Sequence, residues 1–130
     1  MNNEVKVTIV SVRHGKTVMN IEKTMSGWTD IKLSDEGIAD LEAKKKTTNY
    51  PKTDRYYTSA LTRAKDTFDI LFGDIATCDG HFEAFNEIFF GGVEGLPISE
   101  VVQPFYASFI KNEPYLGGET LDLAVARMMG

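Results

Sequence analysis

The sequence predicts an α/β fold in which helices flank a mostly parallel β-sheet. An apolar run occupies residues 5–12, and apolar side chains recur at helical spacing in residues 61–71 and 121–128. Strand-like and helix-like patterns alternate along the chain, which is the order found in α/β folds. The chain has 130 residues, and we assign residues 1–130 to a single domain.

The first strand is predicted over Val5–Val12. This run begins with alternating apolar and polar residues and becomes continuously apolar, which is typical of a strand buried on both faces of a parallel sheet. The first helix follows a loop, with Ser34 as its N-cap and acidic residues in its first turn. Lys44, Lys45 and Lys46 lie near its end, where the helix dipole favours cations, and we expect them to be solvated there.

A second strand and helix are predicted from Arg55 onwards. Residues 55–59 have the composition of a short strand, and Ser59 is placed to cap the helix that follows. The apolar face of that helix is formed by Leu61, Ala64, Phe68 and Leu71. Arg63 therefore lies in the first turn of a helix that follows a strand.

The second half of the chain predicts three more elements. Residues 82–90 favour a strand followed by a loop, and residues 98–110 favour a helix despite Pro104. The last helix follows Thr120 as its cap and presents an apolar face through Met128.

Charge and composition exclude several classes of partner. Lys and Arg number 14 against 19 Asp and Glu, which gives a net charge of -5 and argues against nucleic acid or an anionic membrane as partner. The apolar run is too short to span a bilayer, and the segment Met1 to Glu4 lacks the basic start of a signal peptide. The single cysteine forbids an internal disulfide. We therefore expect a cytoplasmic protein.

Arg13 and His14 follow the first predicted strand directly. Arg63 follows the second strand, and the carboxyl ends of parallel strands meet at one edge of the sheet. Guanidinium groups bind phosphate oxygens in a bidentate manner, and helix amino termini add N–H donors. The sequence therefore predicts a phosphate site. Gly15 would allow the backbone to approach the phosphate closely, and the uncharged side chains of Thr17 and Asn20 would add hydrogen bonds to it.

Two other site types are rejected. The string Gly15-Lys16-Thr17 resembles the end of a nucleotide-binding P-loop, but Val10 occupies the position of the required first glycine. Cys78 and His81 have the spacing of half a metal site, yet no second pair of ligands exists in the sequence. We expect neither a metal nor a cofactor.

Five sequence blocks carry a family resemblance. They are Arg13-His14-Gly15-Lys16-Thr17 with Asn20, Gly27-Trp28-Thr29-Asp30 through Leu33-Ser34 to Gly37, Ser59-Ala60-Leu61-Thr62-Arg63-Ala64 to Thr67, Glu87-Ile88-Phe89-Phe90-Gly91 to Glu94-Gly95, and Gly118-Glu119-Thr120. In this order they resemble the histidine phosphatase superfamily, in its phosphoglycerate mutase-like branch. The resemblance extends over nearly the whole chain.

The resemblance implies phosphoryl transfer through an enzyme-bound phosphohistidine. By analogy, His14 is the nucleophile, Arg13 and Arg63 hold the phosphate oxygens, and Glu87 protonates the leaving group. Gly27 joins Arg13, Gly15, Thr17, Asn20 and Arg63 in the expected phosphate- and substrate-binding set. The implied partner is a small phosphorylated substrate or inorganic phosphate. We expect Glu94 and Glu119 to cap element ends, and Trp28 to pack.

The residues after Glu87 favour a phosphatase over a mutase. Phosphoglycerate mutases of this superfamily carry arginine and histidine there, where this chain has Ile88 and Phe89. Between residues 79 and 126 the only Lys or Arg is Lys111, against eight acidic residues. If residues 79–126 line the substrate site, their few cationic side chains favour a substrate with a neutral or apolar leaving group. A phosphoglycerate mutase is the less favoured alternative.

One departure from the family pattern concerns a second catalytic histidine. The family places it, followed by glycine, on a later strand, but His81 is the only other histidine and precedes Glu87. The resemblance thus covers about the first two-thirds of a family domain, whose carboxyl-terminal part is missing. We expect a fragment or truncated product, weak or inactive by itself, with association into a dimer through an exposed sheet edge. The alternative is a catalytically dead module that binds a phosphorylated ligand or a partner.

Overall fold

Five α-helices and two short strands make up the regular structure of residues 4–130, the part of the chain that this computed structural model describes. Residues 1–3, which belong to the predicted domain and to the amino-terminal segment used to judge localisation, lie outside it. In chain order the elements are α1 (Val18–Glu22), α2 (Asp35–Thr47), β1 (Tyr57–Ser59), α3 (Thr62–Phe72), β2 (Gly80–Phe82), α4 (Ile98–Phe109) and α5 (Leu121–Met129). Within these residues no helix has both the length and the apolar character needed to cross a membrane.

The sheet of the described residues is small and parallel. β1 pairs with β2, with Tyr57 opposite Gly80 and Ser59 opposite Phe82. The predicted α/β class, with helices around a parallel sheet, is confirmed. The strand predicted within residues 82–90 lies earlier, because β2 ends at Phe82 and the chain then makes a 3₁₀ turn over Glu83–Phe85.

The predicted strand over Val5–Val12 is wrong for this structure. The segment has no regular secondary structure, and the side chains of Val5, Val7 and Ile9 are 86%, 78% and 83% exposed. A strand buried on both faces needs neighbours along both edges. No segment of residues 4–130 forms a ladder with it, so its apolar side chains face solvent.

Helix α2 begins and ends as the sequence predicts. The Ser34 hydroxyl accepts a hydrogen bond from the Gly37 N–H at 3.0 Å, and Lys44, Lys45 and Lys46 lie in the last turn. The helix packs against α3. The buried side chains of this first core are Leu33, Leu41, Phe68, Leu71 and Phe72.

Helix α3 forms as predicted, but its cap is different. The N-cap residue is Leu61, not Ser59, and Leu61 provides no side-chain hydrogen bond. The carboxylate of Asp30 replaces it by accepting from the Thr62 N–H at 2.7 Å and from the Thr62 hydroxyl at 3.0 Å. An acid from a distant loop therefore caps this helix, which local spacing does not reveal.

A second core lies beneath α4 and α5. α4 runs through Pro104, as predicted, and buries Phe105 completely. α5 begins after Thr120, whose hydroxyl accepts from the Leu123 N–H at 3.4 Å and so provides the predicted cap. The buried members of this core are Met25, Phe90, Val93, Val101, Phe105, Phe109 and Ala124.

The exposed apolar segment generates a prediction about association. We expect the 130-residue chain to associate as its concentration rises, because residues 5–12 present apolar side chains and free backbone groups. The double variant Val7→Lys with Ile9→Lys should shift the equilibrium towards monomer in sedimentation equilibrium. Ile75→Lys, at a residue that is 67% exposed elsewhere, is the matched control and should leave association unchanged. Equal association of all three proteins would contradict the prediction.

Candidate active site

His14 is the centre of the candidate site and lies just before α1. Its side chain is partly buried, and Nδ1 lies 2.6 Å from the carbonyl oxygen of Gly15. A carbonyl oxygen only accepts, so this contact requires the proton on Nδ1. The lone pair of the neutral ring then lies on Nε2. The imidazole is thereby held in the tautomer that a nucleophile attacking through Nε2 needs.

Three charged residues predicted for the site affect the pKa of this imidazole. Burial lowers the pKa of His14 below its ordinary value, and the hydrogen bond to the Gly15 carbonyl opposes this shift. The charges of Arg63 and Arg13 lower the pKa further, and the charge of Glu87 raises it. The structure therefore brings His14, Arg13, Arg63 and Glu87 close enough for their charges to interact. The net result favours the neutral imidazole.

Gly15 fixes the position of His14 against two helices. Its N–H donates to the Thr67 hydroxyl on α3 at 2.9 Å, and a Cβ at this position would lie 2.7 Å from Leu41 Cδ1 on α2. Thr67 in turn donates to the carbonyl of Arg63 at 2.7 Å. The sequence assigned Thr67 no role. Its place four residues after Arg63, on the same helix face, is the signal that connects the two.

Thr17 and Asn20 form a capping box at α1, a helix that the sequence did not predict. The Thr17 hydroxyl is fully buried and accepts from the Asn20 N–H, while the Asn20 amide oxygen accepts from the Thr17 N–H at 3.0 Å. The cap uses the amide oxygen of Asn20, and Asn20 also lines the cavity beside His14. Phosphate binding by Thr17 and Asn20 stays a prediction.

Arg63 is almost completely buried, with 2% of its surface exposed. Its guanidinium donates to the carbonyl of Gly27 at 2.6 Å and to that of Thr29 at 3.0 Å. Burial lowers the pKa of Arg63, and the charges of Glu87, Asp30 and Glu94 oppose this shift. Part of the predicted phosphate clamp is thus engaged in holding the loop of residues 27–30.

The loop of residues 27–30 depends on Gly27 and Glu94. Gly27 has a φ of 45°, and a Cβ there would lie 2.7 Å from both Glu94 Oε2 and Phe90 Cδ2. The Glu94 carboxylate accepts from the N–H and the hydroxyl of Thr29, each at 2.6 Å, and from the Phe90 N–H at 3.0 Å. These contacts give Glu94 the structural role expected for it. The carbonyl of Gly27 contacts Arg63, and substrate binding by Gly27 stays a prediction.

Glu87 lies on the exposed loop that follows β2. Its Oε1 accepts from the Ile88 N–H at 3.1 Å, and its main-chain carbonyl accepts from the Trp28 indole N–H at 2.7 Å. Trp28 packs edge-on against Phe89, with ring centroids 5.7 Å apart. The expected packing role of Trp28 is therefore observed.

A cavity of about 520 Å³ opens beside His14. Its cationic lining residues are Arg13, Lys16, Lys23 and Lys44. Of the predicted site residues, Arg13, His14, Gly15 and Asn20 line this cavity, whereas Arg63 and Glu87 do not. Within residues 4–130, no three His, Cys, Asp or Glu side chains lie together in a way that could hold a metal ion.

Comparison with known proteins identifies similar chains. The sequence profile of the histidine phosphatase superfamily (branch 1) matches residues 9–130. A 2,3-bisphosphoglycerate-dependent phosphoglycerate mutase of Beijerinckia indica is 32% identical over 93% of this chain. Among solved structures, TTHB049 of Thermus thermophilus is 29% identical with a TM-score of 0.70 over 89% of this chain, and YhfR of Bacillus stearothermophilus is 30% identical with a TM-score of 0.66 over 88%.

The chain spans less than two thirds of these relatives. It covers 64% of the Beijerinckia mutase, 65% of TTHB049 and 60% of YhfR.

Substitution of Gly27 should destabilise the protein more than substitution of a comparable glycine. Gly27→Ala combines a strained φ with a collision against Glu94 and Phe90, so we expect a loss of about 2–4 kcal/mol in urea unfolding. Gly95→Ala is the control: its φ is 87° but open space surrounds it, and strain alone should cost about 1 kcal/mol. Equal losses would show that the packing around Gly27 is loose.

The lowered pKa of His14 predicts a pH dependence of stability. The unfolded imidazole titrates near 6.5, above the folded one, so the unfolded state binds more protons between the two values. Stability should therefore rise with pH through this window below 6.5 and fall as the solution is acidified. Denaturant titrations at a series of pH values should show this component in the wild type and in His81→Gln, but not in His14→Gln. An NMR midpoint for His14 above 6.5 would contradict the prediction.

Proposed function

Because the chain belongs to branch 1 of the histidine phosphatase superfamily, we propose that it is the nucleophile-bearing part of a phosphomonoester hydrolase that works through phosphohistidine at His14. The observation that carries this proposal is the Nδ1 contact of His14 with the Gly15 carbonyl, which leaves Nε2 free among the charges of Arg13, Arg63 and Glu87. The substrate is a small phosphomonoester, and inorganic phosphate is the product.

In the first step, Nε2 of His14 forms a bond to phosphorus while the bond to the ester oxygen breaks. Positive charge develops on the ring, and the Gly15 carbonyl stabilises it through the Nδ1–H hydrogen bond. Arg13 stabilises the equatorial phosphate oxygens. The N–H groups of Arg63 that do not donate to the carbonyls of Gly27 and Thr29 contribute to the same stabilisation. Glu87, which takes up a proton as the phosphate anion binds beside it, gives this proton to the leaving alkoxide, which departs as an alcohol.

In the second step, water attacks the phosphohistidine. The Glu87 carboxylate takes a proton from this water as the new phosphorus–oxygen bond forms. The bond from Nε2 to phosphorus breaks, which restores the neutral imidazole and releases phosphate, and Glu87 then returns its proton to the solvent. The neutral form of His14, favoured by burial and the two arginines, is ready for the next cycle.

The surroundings of Glu87 support hydrolysis rather than transfer between carboxylated sugar phosphates. Ile88 packs against the second core, and Phe89 packs on Trp28, at the two positions where mutases of this superfamily carry basic residues. Tyr106 lies near enough for Glu87 to contribute, after burial, to the raised pKa of its phenol. An apolar or aromatic leaving group fits these neighbours better than a doubly charged one.

Two other functions have specific support. Relatives named as phosphoglycerate mutases favour mutase activity. The engagement of Arg63 with loop carbonyls favours a module that binds a phosphorylated ligand without turnover.

Labelling with a phosphate ester tests the proposal directly. Incubation with ³²P-labelled aryl phosphate should give an acid-labile, base-stable phosphoprotein that maps to His14. His14→Ala should abolish it, while His81→Ala should label like the wild type. Glu87→Gln should reduce the rate of labelling by an alkyl phosphate by roughly a hundredfold or more. The rate of labelling by an aryl phosphate should fall far less, because a good leaving group needs little protonation.

The other functions give different results. Labelling that survives in His14→Ala rejects the proposed nucleophile. Saturable phosphate binding without any labelling favours the binding module. Interconversion of phosphoglycerates faster than their hydrolysis favours the mutase.

A further inference from the structure

Arg127, near the end of α5, contacts the main chain of the loop that carries Glu87. One terminal nitrogen donates to the carbonyl of Glu83 at 2.9 Å and lies 3.4 and 3.3 Å from those of Ala84 and Asn86. The other lies 3.4 Å from the carbonyl of Glu87 itself. A single guanidinium on α5 therefore contacts four carbonyls of this loop. Arg127 and Glu87 are 40 residues apart in the sequence.

A buried carboxylate fixes this guanidinium. Glu119 is 8% exposed, and its two oxygens accept from Arg127 at 2.7 and 3.1 Å. Burial acts to raise the pKa of Glu119, but the hydrogen bonds from Arg127 and from the Phe89 N–H outweigh it and lower the pKa. The ion pair is bidentate and partly desolvated, which is the arrangement in which an arginine–carboxylate pair is most strongly oriented. The contact with Phe89 ties the pair to the far side of the same loop.

Trp28 completes the arrangement. The guanidinium lies over its ring, 5.5 Å from the ring centroid, and the indole N–H donates to the Glu87 carbonyl. The Glu87 carbonyl thus receives the indole N–H of Trp28 and is also contacted by Arg127, and the two side chains pack against each other. Apart from β2 and one 3₁₀ turn, residues 80–90 have no regular structure of their own to fix them.

We propose that Arg127, oriented by Glu119 and Trp28, is a positioning residue that holds the loop of residues 83–87 and so fixes where the Glu87 carboxylate lies relative to His14. This inference rests on the proposed function for its catalytic meaning. Arg127 acts through Glu87 and does not contact the phosphate.

The titration of His14 provides a test that needs no turnover. The negative charge of Glu87 raises the pKa of the imidazole, so Glu87→Gln should lower the NMR midpoint of His14. Arg127→Met should move the midpoint at least half as far in the same direction, because the loosened loop takes the carboxylate away. Met128→Ala, on the same helix and 47% exposed, is the control and should leave it unchanged.

A conservative variant guards against simple loss of folding. Arg127→Lys keeps the charge beside Glu119 but lacks the planar set of donors that contacts several carbonyls. The NMR midpoint of His14 should also fall in Arg127→Lys, and the far-ultraviolet spectrum should be unchanged. If Arg127→Met does not fold, the result for Arg127→Lys serves as the test. An unshifted His14 midpoint in the folded Arg127 variants overturns the inference. An unshifted midpoint in Glu87→Gln also overturns it, because Glu87 would then not lie near the imidazole.

Labelling kinetics separate this inference from the proposed function. In Arg127→Lys, phosphohistidine formation from an alkyl phosphate should fall roughly tenfold more than formation from an aryl phosphate, because only the poor leaving group needs a placed acid. An equal fall with both esters would mark Arg127 as merely structural and overturn the inference. Absence of labelling in the wild type would reject the proposed function for this chain, and the His14 titration would then decide whether Arg127 holds the loop.

Discussion

The buried guanidinium of Arg63 is the interaction on which the geometry of the site depends. A charge that is 2% exposed needs hydrogen-bond acceptors, and the carbonyls of Gly27 and Thr29 provide them. The same loop then places Asp30 at the start of α3, so helix and loop stabilise each other. Removing the guanidinium would leave both carbonyls without their donors and would loosen the loop that carries the capping carboxylate of Asp30. Arg63 therefore organises the site before any ligand binds.

Arg127 uses the same physical device on a second loop. Loop carbonyls lack the ladder partners that a helix or strand provides, and a guanidinium with several N–H donors can satisfy more than one of them. Each arginine has an acidic residue nearby, Glu94 for Arg63 and Glu119 for Arg127, and each acid also accepts from a main-chain N–H beside Glu87. The loops of residues 27–30 and 83–87 are thus held by charged side chains rather than by regular structure.

His14 receives its orientation and its charge state from different sources. The Gly15 carbonyl selects the tautomer, and Gly15 is itself fixed by Thr67 and by its close contact with Leu41. Burial and the two arginines lower the pKa of the ring and so favour its neutral form, against the opposing effects of the Gly15 hydrogen bond and Glu87. Orientation thus depends on packing between α2 and α3, whereas the charge state depends on residues brought from distant parts of the chain.

The sequence by itself determined the helices whose signals are local and the residue types of the site. Ser34 and Thr120 cap their helices from the adjacent position, so spacing alone predicted both, and the motif around Arg13 and His14 gave the candidate chemistry. The roles of His14, Arg13, Arg63 and Glu87 stay predictions, although the structure brings their charges together.

Only the tertiary structure decided that residues 5–12 are exposed, that Asp30 caps α3, and which carbonyls Arg63 and Arg127 bind. Strand pairing and the partners of a guanidinium depend on segments far apart in sequence. Local sequence patterns therefore do not predict which distant groups come into contact.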